Sequence, residues 1–147
     1  MMLLDRRSVL ALAAVVDIAI HARPQPVAAK QLAGRLDLPP RHLETLLQTL
    51  VRADILKGVR GPRGGYELAR ERRRITAAEI VRAVQSEAAD DAKPENAFVE
   101  NIISPVVARA GEAFLTALEQ VTIDDICGQV AETKTSREQA AKSDFTI

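Results

Sequence analysis

The 147-residue chain is long enough for one domain and short for two, and at 47% hydrophobic residues it can bury a core. Three Phe, one Tyr and no Trp make that core aliphatic; the single cysteine, Cys127, excludes an internal disulfide framework and fits a reducing compartment. Net charge is zero, yet residues 1–86 carry 15 Lys and Arg against 8 Asp and Glu (+7) and residues 87–147 carry 5 against 12 (−7), so one half is suited to a polyanion.

Arg6-Arg7 followed by the apolar run Val9–Ile20 looks like an export signal, but Asp17 interrupts the run and no small-residue cleavage site precedes the next charged segment. The run is also short of the ~20 residues of a spanning helix. A core helix from Ser8, as N-cap, to about His21 is expected instead, with Val9, Leu12, Ala13, Val16 and Ile20 on its inner face, in a cytoplasmic protein without membrane contact. A Pro-bounded loop, ARPQP, leads to a second helix over Ala28–Leu36 with Leu32 and Leu36 inward. After the turn at residues 37–40, a third helix opens with Pro40 in its first turn. Leu43, Leu46, Leu47 and Leu50 follow i, i+3, i+4, i+7 spacing, leaving Arg41, His42, Glu44, Thr45, Gln48 and Arg52 on the other face.

Two apolar-rich runs, Ile55–Val59 and Tyr66–Ala69, flank RGPRGG and predict a hairpin; four of the seven glycines lie between Gly58 and Gly65. GVRGPRGG lacks a GK[ST] ending and is followed by a strand, whereas a phosphate-cradling loop should open a helix. Thr76–Glu79 is a capping-box pattern opening a fourth helix with Ile80, Val81 and Val84 apolar. Residues 87–97 are expected as an acidic loop. Residues 97–120 then predict a long helix carrying Ile102, Ile103, Val106, Val107, Phe114 and Leu115, with its start near Ser104 because Pro105 suits a first turn. This stripe exceeds what a small three-helix head can cover, so a partner helix is expected. Thr122–Asp125 forms a second capping pattern, and residues 128–147 read as a flexible polar tail.

Arg pairs with guanine, Glu accepts from cytosine and Gln pairs with adenine, so Arg41, Glu44 and Gln48 suit a major groove, although any surface helix displays such residues. Arg60 and Arg63 on a Gly-rich tip suit a narrow minor groove, and Lys57, Arg52 and Arg72-Arg73-Arg74 could meet phosphates. The expected architecture is therefore mainly α with a small β-hairpin wing: a winged helix-turn-helix at 1–86, an acidic loop at 87–97, a dimerisation helix region at 98–127 and a tail at 128–147.

VRGPRGGYELAR followed by ITAAEIVRAVQ resembles the wing and next helix of Rrf2-type transcriptional regulators. LPPRHLETLLQTLVRADIL resembles their recognition helix and VTIDDI the end of their dimerisation helix. The resemblance implies a homodimeric repressor or activator on a pseudo-palindromic duplex operator, with Arg41, His42 and Glu44 at the major groove and Arg60, Gly61 and Pro62 at the minor groove. Many members bind an iron–sulfur cluster through three cysteines before and at the start of the dimerisation helix. Residues 87–107 here contain none, so no cofactor, and no metal site, is expected. Two distant histidines and one thiol beside carboxylates make no catalytic set, so no enzyme is expected.

Cys127 follows Asp124 and Asp125, whose charges should raise its pKa; a packed structural thiol and an intersubunit disulfide are the two readings. The ending Ser143-Asp144-Phe145-Thr146-Ile147 resembles the C-terminal peptide of serine acetyltransferases, whose terminal isoleucine inserts into cysteine synthase. Asp144, Phe145, Thr146 and Ile147 are therefore candidate contacts to that enzyme, or Phe145 and Ile147 fold back on their own dimer. The competing function class is a protein-interaction module that binds an enzyme through this tail, and control of sulfur or cysteine metabolism is the associated expectation.

Overall fold

The computed structural model describes residues 3–89 and 96–144. Three helices come first: α1 (Arg6–His21), α2 (Ala29–Leu36) and α3 (Pro40–Arg52). A two-stranded antiparallel hairpin follows, β1 (Leu56–Val59) and β2 (Gly65–Leu68), then a 3-10 turn at Arg72–Arg74 and α4 (Ala77–Ala89). The chain ends with α5 (Ser104–Leu118) and α6 (Ile123–Asp144). This is a winged helix-turn-helix head with a helical extension. Among the described residues no helix is long and apolar enough to cross a membrane.

α1 starts earlier than its sequence pattern implies. Asp5, not Ser8, is the N-cap, its carboxylate accepting the Ser8 N–H at 2.9 Å, and Ser8 is buried within the first turns. The inner face also differs: Ala11, Ala14, Val15, Val16 and Ile18 are buried, whereas Val9 is exposed. α1 is apolar nearly all round, so periodicity could not choose a face. The small Ala11 and Ala14 go to the deep core, while Leu12, Val16 and Ile20 face α6 across a groove.

α2 ends at Asp37, which takes the left-handed conformation (φ 53°) that short polar side chains tolerate. The α3 stripe Leu43, Leu46, Leu47 and Leu50 is buried as its spacing predicts, against Leu32, Ile55, Leu56, Ile80 and Val84. Burying a Leu side chain contributes about 1.5–3 kcal/mol, so this stripe is what makes the exposed face of α3 a fixed surface. The capping box is present at α4: Thr76 N–H donates to Glu79 Oε2 at 2.9 Å and Glu79 N–H to Thr76 Oγ1 at 3.2 Å. The same pair of bonds joins Thr122 and Asp125 at α6, at 2.9 and 3.1 Å.

Three boundaries are corrected. Residues 87–89 belong to α4 and residue 97 is already helical, so the expected acidic loop is helical at both ends, and 90–95 lie outside the described residues. The helix does not wait for Ser104: residues 99–103 form a π turn running into α5. Pro105 cannot donate to the carbonyl four residues back and its ring crowds that carbonyl, and a wider turn relieves both. Finally, residues 128–144 are not a coil but the body of α6. Gln, Glu, Lys, Arg and Ala dominate that segment, and polarity removes packing without removing helix propensity.

α6 begins inside the head. Ala77 N–H bonds Val121 C=O at 2.8 Å and Ile123 N–H bonds Ile75 C=O at 2.9 Å, an isolated β-bridge between Thr76 and Thr122. Ile123 and Cys127 are buried in the head's core. By contrast, every residue from 101 to 113 is exposed, including Ile102, Ile103, Val106 and Val107.

Candidate nucleic-acid interface

The outer face of α3 presents Arg41, His42, Glu44, Thr45, Gln48 and Arg52, all exposed, opposite the buried leucines. Positions 41, 44, 45, 48 and 52 share one face at helical spacing. Pro40 in the first turn sets this helix's entry without leaving a backbone donor unmet. Thr49, missed as a functional position because it reads as one more polar residue, is buried. Its hydroxyl donates to Thr45 C=O at 3.0 Å and accepts from Arg7 Nη2 at 3.4 Å, tying α3 to the start of α1.

The hairpin tip carries Arg60, Gly61, Pro62 and Arg63, all exposed. Register pairs Leu56 with Leu68, Lys57 with Glu67, Gly58 with Tyr66 and Val59 with Gly65. Gly61 takes φ 118°, a conformation closed to side chains, and Gly64 N–H bonds Gly61 C=O at 2.9 Å. A Cβ on Gly64 would collide with Val59 C=O, and one on Gly65 with Val27 C=O. That second approach is structural: Val27 N–H bonds Tyr66 C=O at 2.9 Å and Tyr66 N–H bonds Val27 C=O at 2.8 Å. The segment entering α2 is thus clipped to the wing by an isolated β-bridge, which holds helix-turn-helix and wing as one unit.

A second brace is Asp17. In sequence it interrupts an apolar run; in the fold it accepts a bidentate pair from Arg35, Nε to Oδ2 at 2.8 Å and Nη2 to Oδ1 at 2.8 Å, with its side chain only 10% exposed. Paired arginine forks of this kind fix orientation as well as charge, and here they lock α2 onto α1. Periodicity carries no sign of this partner.

The cations divide into two sets. Arg41, Arg60 and Arg63 have no carboxylate partner among the described residues and are exposed, available to an anionic ligand. Lys57, by contrast, is paired with Glu67 at 3.0 Å. Of the Arg72–Arg74 run, Arg72 Nε sits 2.7 Å from Asp124 and Arg73 Nε 3.8 Å from the same carboxylate, so two of the three expected phosphate contacts brace α6. Arg82 likewise pairs with Glu119 at 2.8 Å, joining α4 to α5.

Cys127 is buried, and burial is the main reason its thiol is pushed above the ordinary value; Arg72 beside it opposes the shift and Asp124 adds to it last. The cause expected from sequence, neighbouring carboxylates, is thus the minor one. The Asp125 carboxyl instead faces Thr122, whose hydrogen bonds hold it below the usual carboxylate range. Asp144 closes α6, and Phe145, Thr146 and Ile147 lie outside the described residues.

The Rrf2 family, described as iron-dependent transcriptional regulators, matches residues 4–129. BadM of Rhodopseudomonas palustris, described as an HTH-type transcriptional regulator, is 30% identical over 131 residues, 85% of this chain and 81% of that protein. Among solved structures, T. potens IscR superimposes with a TM-score of 0.72 at 27% identity over 90% of both chains. CymR, the global cysteine regulator of B. subtilis, superimposes with a TM-score of 0.68 at 23% identity over 88% of this chain and 98% of its own, a likeness of fold. An iron–sulfur cluster needs several thiolates or an equivalent set. This chain's one thiol is buried in the head, and among the described residues no three His, Cys, Asp or Glu side chains gather as a metal site, so the donors do not fit such a cluster. By fold, by sequence and by the extent of the match, the chain belongs to the Rrf2 family of DNA-binding transcriptional regulators.

Proposed function

We propose that this regulator works in the cytoplasm as a homodimer on a pseudo-palindromic operator. Residues 1–86 form the reading unit, with α3 in the major groove and the hairpin tip in the minor groove, and residues 98–127 form the dimerisation region. The observation that carries this reading is the pairing of two exposed basic surfaces on one braced unit. Arg41, His42, Glu44, Thr45, Gln48 and Arg52 stand on α3, and Arg60, Gly61, Pro62 and Arg63 at the tip, while the Val27–Tyr66 clip fixes their separation. Lys57 completes the set at the base of the wing, where Glu67 holds it. Support for the dimer is the exposed stripe Phe98, Ile102, Ile103, Val106 and Val107, with Phe98 64% and Val107 62% exposed. The donor set argues for a signal other than a resident cluster.

Duplex binding measured against salt is the test. A reader of DNA loses affinity linearly in log salt, with a slope of about −0.9 per phosphate neutralised. Arg60→Ala should weaken binding by about tenfold, within the ~1–3 kcal/mol of a good arginine contact. Affinity indifferent to salt and to this substitution would instead favour an interaction module that binds an enzyme. Control of sulfur or cysteine metabolism through cysteine synthase rests on the ending SDFTI alone. An SDFTI peptide should compete with that enzyme's substrate, and no competition rejects the idea.

A further inference from the structure

A cavity of about 840 Å³ lies between the end of α1, the base of the wing and the 3-10 turn. Arg23, Lys57, Arg70, Arg72 and Arg73 line it against Glu67 and Glu71. Most of this charge is answered locally: Lys57 by Glu67 at 3.0 Å, Arg70 by Glu79 at 3.2 Å and Arg72 by Asp124 at 2.7 Å. Two guanidinium groups are held only loosely or by no carboxylate. Arg73 is 3.8 Å from a carboxylate that Arg72 already holds, with 80% of its side chain exposed. Arg23 has no carboxylate partner among the described residues.

We propose that this cavity binds a compact multivalent oxyanion, phosphorylated or polycarboxylate, and that the wing senses its occupancy. Cations converging on a concave wall focus their field, and arginine forks match phosphate and carboxylate geometry. The walls belong to three elements: Arg23 follows α1, Lys57 stands on β1, and Arg72 and Arg73 are tied through Asp124 to α6. An anion bridging Arg23 and Arg73 fastens these elements together and competes with Glu67 and Asp124 for Lys57 and Arg72. Of the proposed reading set only Lys57 lines the cavity, so the ligand leaves the α3 face and the hairpin tip uncovered. The source is a free small molecule, not the DNA backbone. Only the effect on DNA rests on the proposed function; binding of the anion does not.

Calorimetric titration of the full chain, without DNA and at low salt, with inorganic pyrophosphate and separately with citrate tests the site. Saturable binding of at least one is expected, one per chain, and which of the two binds identifies the chemistry. The double variant Arg23→Ala/Arg73→Ala, exposed positions that leave the fold intact by circular dichroism, should weaken it by about tenfold or more. Asp124→Asn should tighten it by releasing Arg72 and Arg73, and Arg60→Ala should leave it unchanged. At matched ionic strength the anion should shift duplex affinity of the native chain and not of the double variant. No saturable binding of either probe, or binding that the double variant retains in full, overturns the proposal. So does a double variant that changes only the salt slope of DNA binding, which would assign the cavity to backbone phosphates.

Discussion

The head and the α5 arm differ in what completes them. In the head, apolar side chains from α1, α2, α3, α4 and the first turn of α6 close on one another. Along residues 101–113 none of the described residues covers the apolar positions, even though the composition there is no less hydrophobic. Equal hydrophobicity thus has two outcomes: where neighbouring elements converge it makes a core, and where one helix leaves the head it makes an exposed apolar surface, the one proposed above for the dimer. α6 joins the two, since its start is strapped to Ile75–Ala77 and packs Ile123 and Cys127 into the head, whereas residues 131–144 are exposed.

The strongest way to break this contrast is to damage the closed side. Leu47→Ala, at a fully buried position within the α3 stripe, should cost about 2–5 kcal/mol in denaturant unfolding. A cost below about 1 kcal/mol would mean the head is not the cooperative core described here. On the open side, Ile102→Glu with Val106→Glu should leave head stability within about 1 kcal/mol of the native chain, as surface changes usually do. Light scattering should then report a monomer, with duplex affinity down about 100-fold through loss of the second half-site. A variant that stays dimeric would move the interface off α5.

The junction can be sharpened by two smaller effects. Cys127 lies under the start of α6, and its buried, upward-shifted thiol should react with a disulfide reagent only as the head unfolds. Stoichiometric labelling of the native chain within minutes would show that α6 opens from the head. Smallest is the acid response of the α6 cap. Hydrogen bonds from Thr122 hold the Asp125 carboxyl below the usual carboxylate range in the fold, so its contribution is present above that range and is lost as pH falls through the lower folded value. Helix content followed by circular dichroism should therefore decline more in the native chain than in Asp125→Asn across that acid range.

Much of the molecule was legible without coordinates. The α3 leucines, the Thr76 and Thr122 capping pairs and the Gly-rich hairpin are local patterns, in which residues a few positions apart meet within one element. The positions of the hairpin and of α3 could be read for the same reason. Partners distant in sequence could not. Asp17 reads as a flaw in an apolar run until Arg35 is beside it, Arg72 as a free cation until Asp124 is, and the inner face of the apolar middle of α1 stays undetermined until α4 and α6 pack on it.

By itself, then, the amino-acid sequence determined where the helices and the hairpin lie, because propensity, capping and periodicity act over one or two turns of chain. It failed in that regime at the α1 cap, at the two ends of the 87–97 segment and before Ser104, and most of all at residues 128–144, where polarity does not remove helix propensity. Tertiary structure alone decided which charges are spent inside the protein and which face outward. Coulombic and hydrogen-bonding partners are set by distance in space, and Arg72 and Asp124, 2.7 Å apart in the fold, are separated along the chain by all of α4 and α5.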